Sequence, residues 1–317
     1  LAALTGPGTA YLTPDLLRRA PTGIDWTTIP NNRSSPIEQQ AEQANMCLRA
    51  TSLINGAANQ PLRATQDVEF FNGPDWLVTV QNQTGVGRVM CSRWPILQVI
   101  SAKVSPAFQF PRQWTTIAAS QLDIEKPPLG LFGASQAADA AEGGQAVLLA
   151  PGVINWWQGR NGWRIQIVYI NGWPHTSITA AADEGATTIS VDDCTGWAPS
   201  LYDPEDPGGG ATGIVYDGMQ QEVVNCVASS VTTGPGTLTL SSPLSWPHDA
   251  GTLVTTLPTS VINACIDLCS AMALERGATA TTVQSMSGGG GGDGGPVTPD
   301  KLRQWAFDAV KTYARVI

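Results

Sequence analysis

Two histidines, six cysteines and a few close-set carboxylates are the residues of this 317-residue chain whose types could do chemistry. His175 and His248 each follow a Trp-Pro pair, Trp173-Pro174 and Trp246-Pro247, at the end of a strand-like run. A histidine base needs a nucleophile and an orienting acid within hydrogen-bond reach. Ser and Asp are plentiful, yet no G-x-S-x-G elbow gathers them. Both rings read as loop histidines that hold a turn. Cys47, Cys91, Cys194, Cys226, Cys265 and Cys269 include no C-x-x-C pair, and two histidines are too few to complete zinc sets around them. Cys265 and Cys269, one helical turn apart, read as core thiols. Asp192-Asp193 and Asp203, Glu205 and Asp206 could attract a divalent cation. Calcium takes six to eight oxygens in set geometry, however, and no EF-hand spacing occurs, so these acids read as solvated loops. Two carboxylates for glycoside hydrolysis would meet only in space, and nothing beyond the presence of acids points to them. The glycine runs at 208–210 and 288–292 lack the Lys-Ser/Thr of a phosphate loop and read as linkers. The chain is therefore read as non-catalytic, with no metal and no cofactor.

Eleven tryptophans are the other unusual feature. Trp156, Trp157, Trp163 and Trp173 crowd one strand-patterned stretch. Tryptophan is enriched in cores and at the energetic centres of protein interfaces, and a sugar-stacking platform is the competing use. The interface reading is favoured, and Trp305 and Tyr313 near the chain end join these four as interface candidates. Trp94-Pro95, Trp173-Pro174 and Trp246-Pro247 look like rigid corners.

Composition narrows the function classes. Hydrophobic residues make up 42% and charged residues 14%, which excludes a largely disordered chain and leaves a weakly charged surface suited to meeting other subunits. The net charge of −9 and the absence of any Lys/Arg run exclude a protein that grips nucleic acid. They suit a wall past which DNA slides. The apolar runs are too short to span a bilayer. No signal-peptide pattern is read, and the start at Leu1 leaves an earlier segment open.

The elements that must position these residues read as helix, then many strands, then helix. Thr13 caps a short helix over 14–19. Ser35, Pro36 and Glu38 spell a capping box for a helix with Ile37, Ala41, Ala44, Leu48 and Ser52 on one face and Gly56 as its stop. Short alternating runs follow at 77–80, 96–104, 163–169, 188–191, 222–227, 237–240 and 251–257, bounded by Gly, Pro, Asn or Asp. The stretch 120–144 reads as a long excursion that touches a neighbour, and 203–213 as an exposed loop. Val261, Cys265, Leu268 and Met272 share a helix face that Gly277 closes. Thr298 and Pro299 open a last helix behind the glycine tether, and that helix is expected to dock away from its own domain. The fold class is α+β: a helical domain formed by the two chain ends, with a large antiparallel β insertion of one or two small barrels or sandwiches. The domain reading is 1–75 helical, 76–174 and 175–257 as two β parts, and 258–317 helical with its tether at 285–295.

This arrangement resembles the head-to-tail connector, or adaptor, proteins of long-tailed bacteriophages, in a large form found among actinobacteriophages. The carrying residues are Tyr11-Leu12-Thr13-Pro14, the 36–54 helix, and Asn59-Gln60-Pro61-Leu62-Arg63-Ala64-Thr65. Ser92-Arg93-Trp94-Pro95-Ile96 and Tyr169-Ile170-Asn171-Gly172-Trp173-Pro174-His175 follow. Then come the 185–193 run leading to Thr195-Gly196-Trp197, and finally 273–278 and 313–317. The similarity covers most of the chain but is diffuse, and the smaller adaptors lack the β insertion. The resemblance implies a structural virion protein in the neck between capsid and tail. It would be a homo-oligomeric ring, twelvefold to match the portal, that binds the portal protein above and a stopper or tail-terminator below. The ring would extend the DNA channel without binding DNA specifically. A virion-associated glycan-binding module and another neck protein such as a stopper are the alternatives.

Overall fold

The computed structural model describes residues 10–30, 34–72, 78–80, 85–106, 110–125, 146–153, 163–197, 211–218, 220–278, 280, 283–287 and 297–314. Among the described residues there are four α-helices, and side-chain caps open three of them. The hydroxyl of Thr13 accepts from Leu16 N–H to open α1 (Pro14–Arg19). Ser35 and Glu38 complete a capping box at the head of α2 (Pro36–Ala58). Thr298 accepts from Lys301 N–H at the start of α4 (Pro299–Val310). Between them α3 (Thr259–Glu275) ends in a Schellman turn, with Ala278 N–H on Ala273 O and Gly277 N–H on Leu274 O, both at about 3 Å. Gly277 supplies the positive φ, +79°, that this turn requires.

Both chain ends share one core. Tyr11, Leu17, Met46 and Ile54 from the N-terminal part pack with Leu268 and Val310 from the C-terminal part. The helical domain made by the two ends and the antiparallel β insertion between them are thus an α+β fold. Among the described residues, no helix is long and apolar enough to cross a membrane.

Several local expectations need correction. Helix α2 runs through Gly56 and stops at Asn59, which takes the left-handed conformation (φ 53°). Its buried face is Gln43, Met46, Cys47, Ala50, Thr51, Ile54 and Ala58, while Ile37 is 80% exposed. Counting apolar residues misplaced that face because two of its members are polar and paired. Gln43 Nε2 donates to Trp26 O (3.0 Å), and Thr51 Oγ1 donates to Cys47 O (3.0 Å) and accepts from Tyr11 N–H (2.9 Å). The last helix does not dock away: α4 packs on α3, with Leu302, Ala306 and Val310 buried. The glycine run before it lies outside the described residues.

Among the described residues the insertion holds three antiparallel sheets. The first contains β1 (Thr65–Asn72), β4 (Ile96–Pro106), β5 (Thr115–Ile117) and β8 (Trp163–Asn171), in the order β1-β8-β4-β5. The second contains β2 (Val78–Val80), β3 (Gly87–Met90), β6 (Leu122–Glu125) and β7 (Ala146–Leu149), in the order β2-β3-β7-β6. They enclose a shared core that includes Phe71, Val89, Val147, Ile165 and Tyr169. The third sheet is built from β9 (His175–Ser177), β10 (Thr188–Val191), β11 (Thr212–Tyr216), β12 (Glu222–Ser229), β13 (Gly236–Leu240) and β14 (Leu253–Thr255). Its order is β10-β13-β12-β11-β14-β9. The outer strands then meet each other through an Ile178–Val191 bridge, Thr179 N–H on Ser190 O (2.9 Å) and Asp192 N–H on Ser177 O (3.1 Å). The sheet therefore curls round Trp197, Val215, Leu238 and Val254 as a small barrel.

Strand β1 lies within the stretch 1–75 that the pattern assigned to helix, and β6 lies within the expected 120–144 excursion. The alternation of β1 is inverted. Asp67 and Glu69 face inward, while Val68 and Phe70 face out, about half exposed. Of the expected loop 203–213, residues 203–210 lie outside the described residues and 212–213 begin strand β11; most of the excursion also lies outside the described residues.

Candidate functional site

Several of the segments singled out in the sequence meet at one place, a junction where the helical core, the first sheet and the barrel join. Its scaffold is backbone. Gly172 N–H donates to Pro95 O (2.8 Å), Trp173 N–H to Leu62 O (2.8 Å) and Ala64 N–H to Trp173 O (2.7 Å). Asn171-Gly172 is the turn that permits this. Gly172 has φ +89°, and a Cβ there would fall 2.6 Å from Arg63 O. Only glycine fits so close an approach.

Three aromatic rings fill the corner. Trp94 packs edge-on against Trp173 with centroids 5.7 Å apart, and Tyr313 also packs edge-on against Trp173 at 5.4 Å. Polar groups fix Tyr313. Gln60 Nε2 donates to Tyr313 O (2.9 Å), and the Tyr313 hydroxyl lies 3.0 Å from Ser260 Oγ at the head of α3. The residues just after α4 are thereby pinned to the same corner as the Trp-Pro turn at 94–95.

Beside the aromatic group, the two inward carboxylates of β1 act as acceptors. Asp67 takes two bonds from Arg93 Nη1 (3.0 and 2.9 Å) and one from Asn171 Nδ2 (2.5 Å). Glu69 takes the Ser92 N–H (3.1 Å), the Ser92 hydroxyl (2.5 Å) and the Tyr169 hydroxyl. Burial, with Cys91 and Glu69 close by, drives the Tyr169 pKa well up, so the phenol stays a donor. Burial and the Glu69 charge likewise raise the Cys91 thiol. This network links β1, the 92–95 corner and β8, and each acid receives donors from other segments.

Tyr11 and His175 close the junction from the N-terminal side, ring against ring at 5.4 Å. The Tyr11 hydroxyl donates to Asn55 Oδ1 (2.6 Å) and accepts from Leu62 N–H (2.8 Å) and Arg63 N–H (3.1 Å). Burial raises its pKa to about 12. His175 places Nε2 2.9 Å from Ala10 O, which can only accept, so Nε2 carries the proton and Nδ1 faces the Thr255 hydroxyl at 3.0 Å. Burial lowers the pKa of this ring to about 4. A Thr-His pair is thus present, but both residues are buried inside the chain, and the pair serves as a strut.

The other residues with chemical potential are also engaged. His248 is no loop ornament: its ring is buried between Asp217 Oδ2 (2.9 Å from Nδ1) and Glu222 Oε1 (2.7 Å from Nε2). With a carboxylate at each nitrogen, neither nitrogen meets a nucleophile. Glu222 also accepts from Ser245 N–H (2.8 Å). Partial burial raises its pKa, but the donors from Ser245, His248 and Trp246 outweigh that and hold the carboxyl below its ordinary range. Asp192 accepts from Thr176 Oγ1 (2.7 Å) and Ser177 N–H (2.8 Å), and Asp193 from Thr195 N–H (2.9 Å) and Gly234 N–H (3.2 Å). This pair of acids ties loops of the barrel together. Among the described residues, no group of three or more His, Cys, Asp or Glu could hold a metal ion.

Of the six interface candidates, Trp156 and Trp157 lie outside the described residues. Trp163 and Trp173 are 6% and 5% exposed, so this chain itself covers their apolar area. Trp305 and Tyr313 are partly exposed. Residues the sequence reading passed over are Asp67, Glu69 and Asp267. Asp267 had a visible signal, a lone carboxylate in the apolar run of α3. Fully buried, it accepts from Met286 N–H (2.7 Å), Ser287 N–H (2.9 Å) and the hydroxyls of Ser285 (2.8 Å) and Ser287. No protein-family model matches the chain, and no curated protein matches it.

Proposed function

We propose that this chain is a structural subunit of a phage-type head-to-tail connector, a ring protein whose helical domain seats on a portal while its β units extend a DNA channel. The observation that supports this most is the junction. Both chain ends close one helical core, and two β units are carried on it by a corner of rings, backbone bonds and carboxylates engaged by donors. A subunit that must hold its place between two larger assemblies needs such a rigid joint. The histidines and the Asp192-Asp193 pair serve as internal struts, which fits a scaffold role. The net charge of −9 fits a channel wall that does not retain DNA. Electron microscopy of the purified protein, alone and mixed with its portal, tests the reading. Closed rings are expected under at least one condition. A monomer under both that instead binds glycans would replace this reading with the binding-module alternative.

A further inference from the structure

We propose that the outer face of the first sheet is the surface by which one copy of this chain docks onto the next, and that it receives the acidic end of the neighbour's barrel. The inference rests on the ring reading. On that face Val68 and Phe70 of the edge strand β1 are 49% and 48% exposed. Register sets Val168 opposite Val68, Gln166 opposite Phe70, and Lys103 opposite Gln166. Trp114, just before β5, reaches the same face with its ring 6.3 Å from that of Phe70. The Arg164 guanidinium lies 4.9 Å over the Phe70 ring, and its Nε is buried with no hydrogen-bond partner among the described residues. Asp67 and Glu69, the only acids in the four strands, point the other way. An edge strand with two outward apolar side chains, with two cations beside them and no outward carboxylate within the four strands, is a place where another chain binds.

Charge identifies the occupant. The chain as a whole carries −9, so this face is a local exception to its own surface, and another copy offers the complement. At one end of the barrel, Ala182 and His248 pair backbone to backbone. Around that bridge Asp183, Glu184 and Asp249 are exposed, and Trp246 on the same segment is 48% exposed. Apolar surface with cations on one patch thus matches apolar surface with carboxylates on another. Because the two patches differ, the contact is heterologous, the type that closes into rings.

The test is ring formation by Lys103→Glu and Phe70→Thr, under whichever condition wild type forms rings, with thermal unfolding run beside it. Phe70→Thr keeps a β-favouring residue, and Lys103→Glu alters charge on an outward side chain, so both are expected to melt close to wild type. Each should reduce ring yield roughly tenfold or more, and adding Asp249→Lys to Lys103→Glu should restore rings. Wild-type ring yield in both single variants overturns the docking face. Loss of rings in them without rescue by Asp249→Lys overturns the pairing with the barrel end. Variants that form rings alone but fail on the portal would assign the face to another protein and overturn the proposal. A wild-type chain that makes no ring alone or on the portal fails the ring reading itself.

Discussion

At the scale of single residues, the molecule repeatedly uses groups that could be reactive as internal ties. His175 carries a pH-dependent consequence. Its pKa falls from 6.5 to about 4 on burial, so the unfolded chain binds the proton first as pH drops. The stability its neutral ring supports is fully present above pH 6.5 and is lost as pH falls towards 4, by about 3 kcal/mol in all. His175→Gln removes this linkage. The stability gap between wild type and His175→Gln, measured by denaturant unfolding, should therefore narrow from neutral pH to about pH 5. A gap that stays constant would contradict the buried neutral ring. Asp267 offers a second case. Replacing it with Ala strands the Met286 and Ser287 N–H groups and two hydroxyls around a buried site. A loss of about 2–4 kcal/mol is expected, and the segment 285–287 should gain early hydrogen exchange. Unchanged exchange there would mean that Asp267 does not hold it.

At the scale of elements, α4 completes the helical core. Leu302, Ala306 and Val310 are buried, and Tyr313 reaches the Trp173 corner. Deleting residues 297–317 should therefore cost the chain its cooperative unfolding or lower its melting temperature by well over the roughly 5 °C that one kcal/mol gives a small domain. A truncated chain that melts like wild type would restore the idea of a helix that docks elsewhere. Which elements were legible follows from where their determinants lie. The caps at Thr13, Ser35 and Thr298 are set by side chains within three residues, so the sequence displays them. The Trp94-Pro95 corner was readable for the same reason. The buried face of α2 and the strand β1 were not. Gln43, Thr51, Asp67 and Glu69 are buried or turned inward by partners such as Trp26, Tyr11, Arg93 and Tyr169, at sequence separations no local pattern carries. The candidate site was legible in its parts, since its segments stood out one by one, but their convergence depends on pairings between strands as far apart as β1 and β8.

At the scale of the whole molecule, charge and symmetry decide what the proposed subunit does. With a net charge of −9 and no basic run, the free protein should hold duplex DNA more weakly than the roughly 10⁻⁴–10⁻⁶ M of ordinary non-specific binders at about 0.15 M salt. Tight, salt-sensitive binding in a filter or anisotropy assay would point to a gripping role instead of a passive wall. A connector ring adds a stronger requirement: each copy must offer two unlike surfaces to its neighbours, plus a helical end to the portal. The most direct measurement is cryo-electron microscopy of the wild-type protein bound to its portal. The proposed function requires a closed ring of copies in register with the portal, twelve where the portal has twelve, with the helical domain at the contact. Isolated single copies, or no density on the portal together with measurable glycan binding in solution, would contradict it.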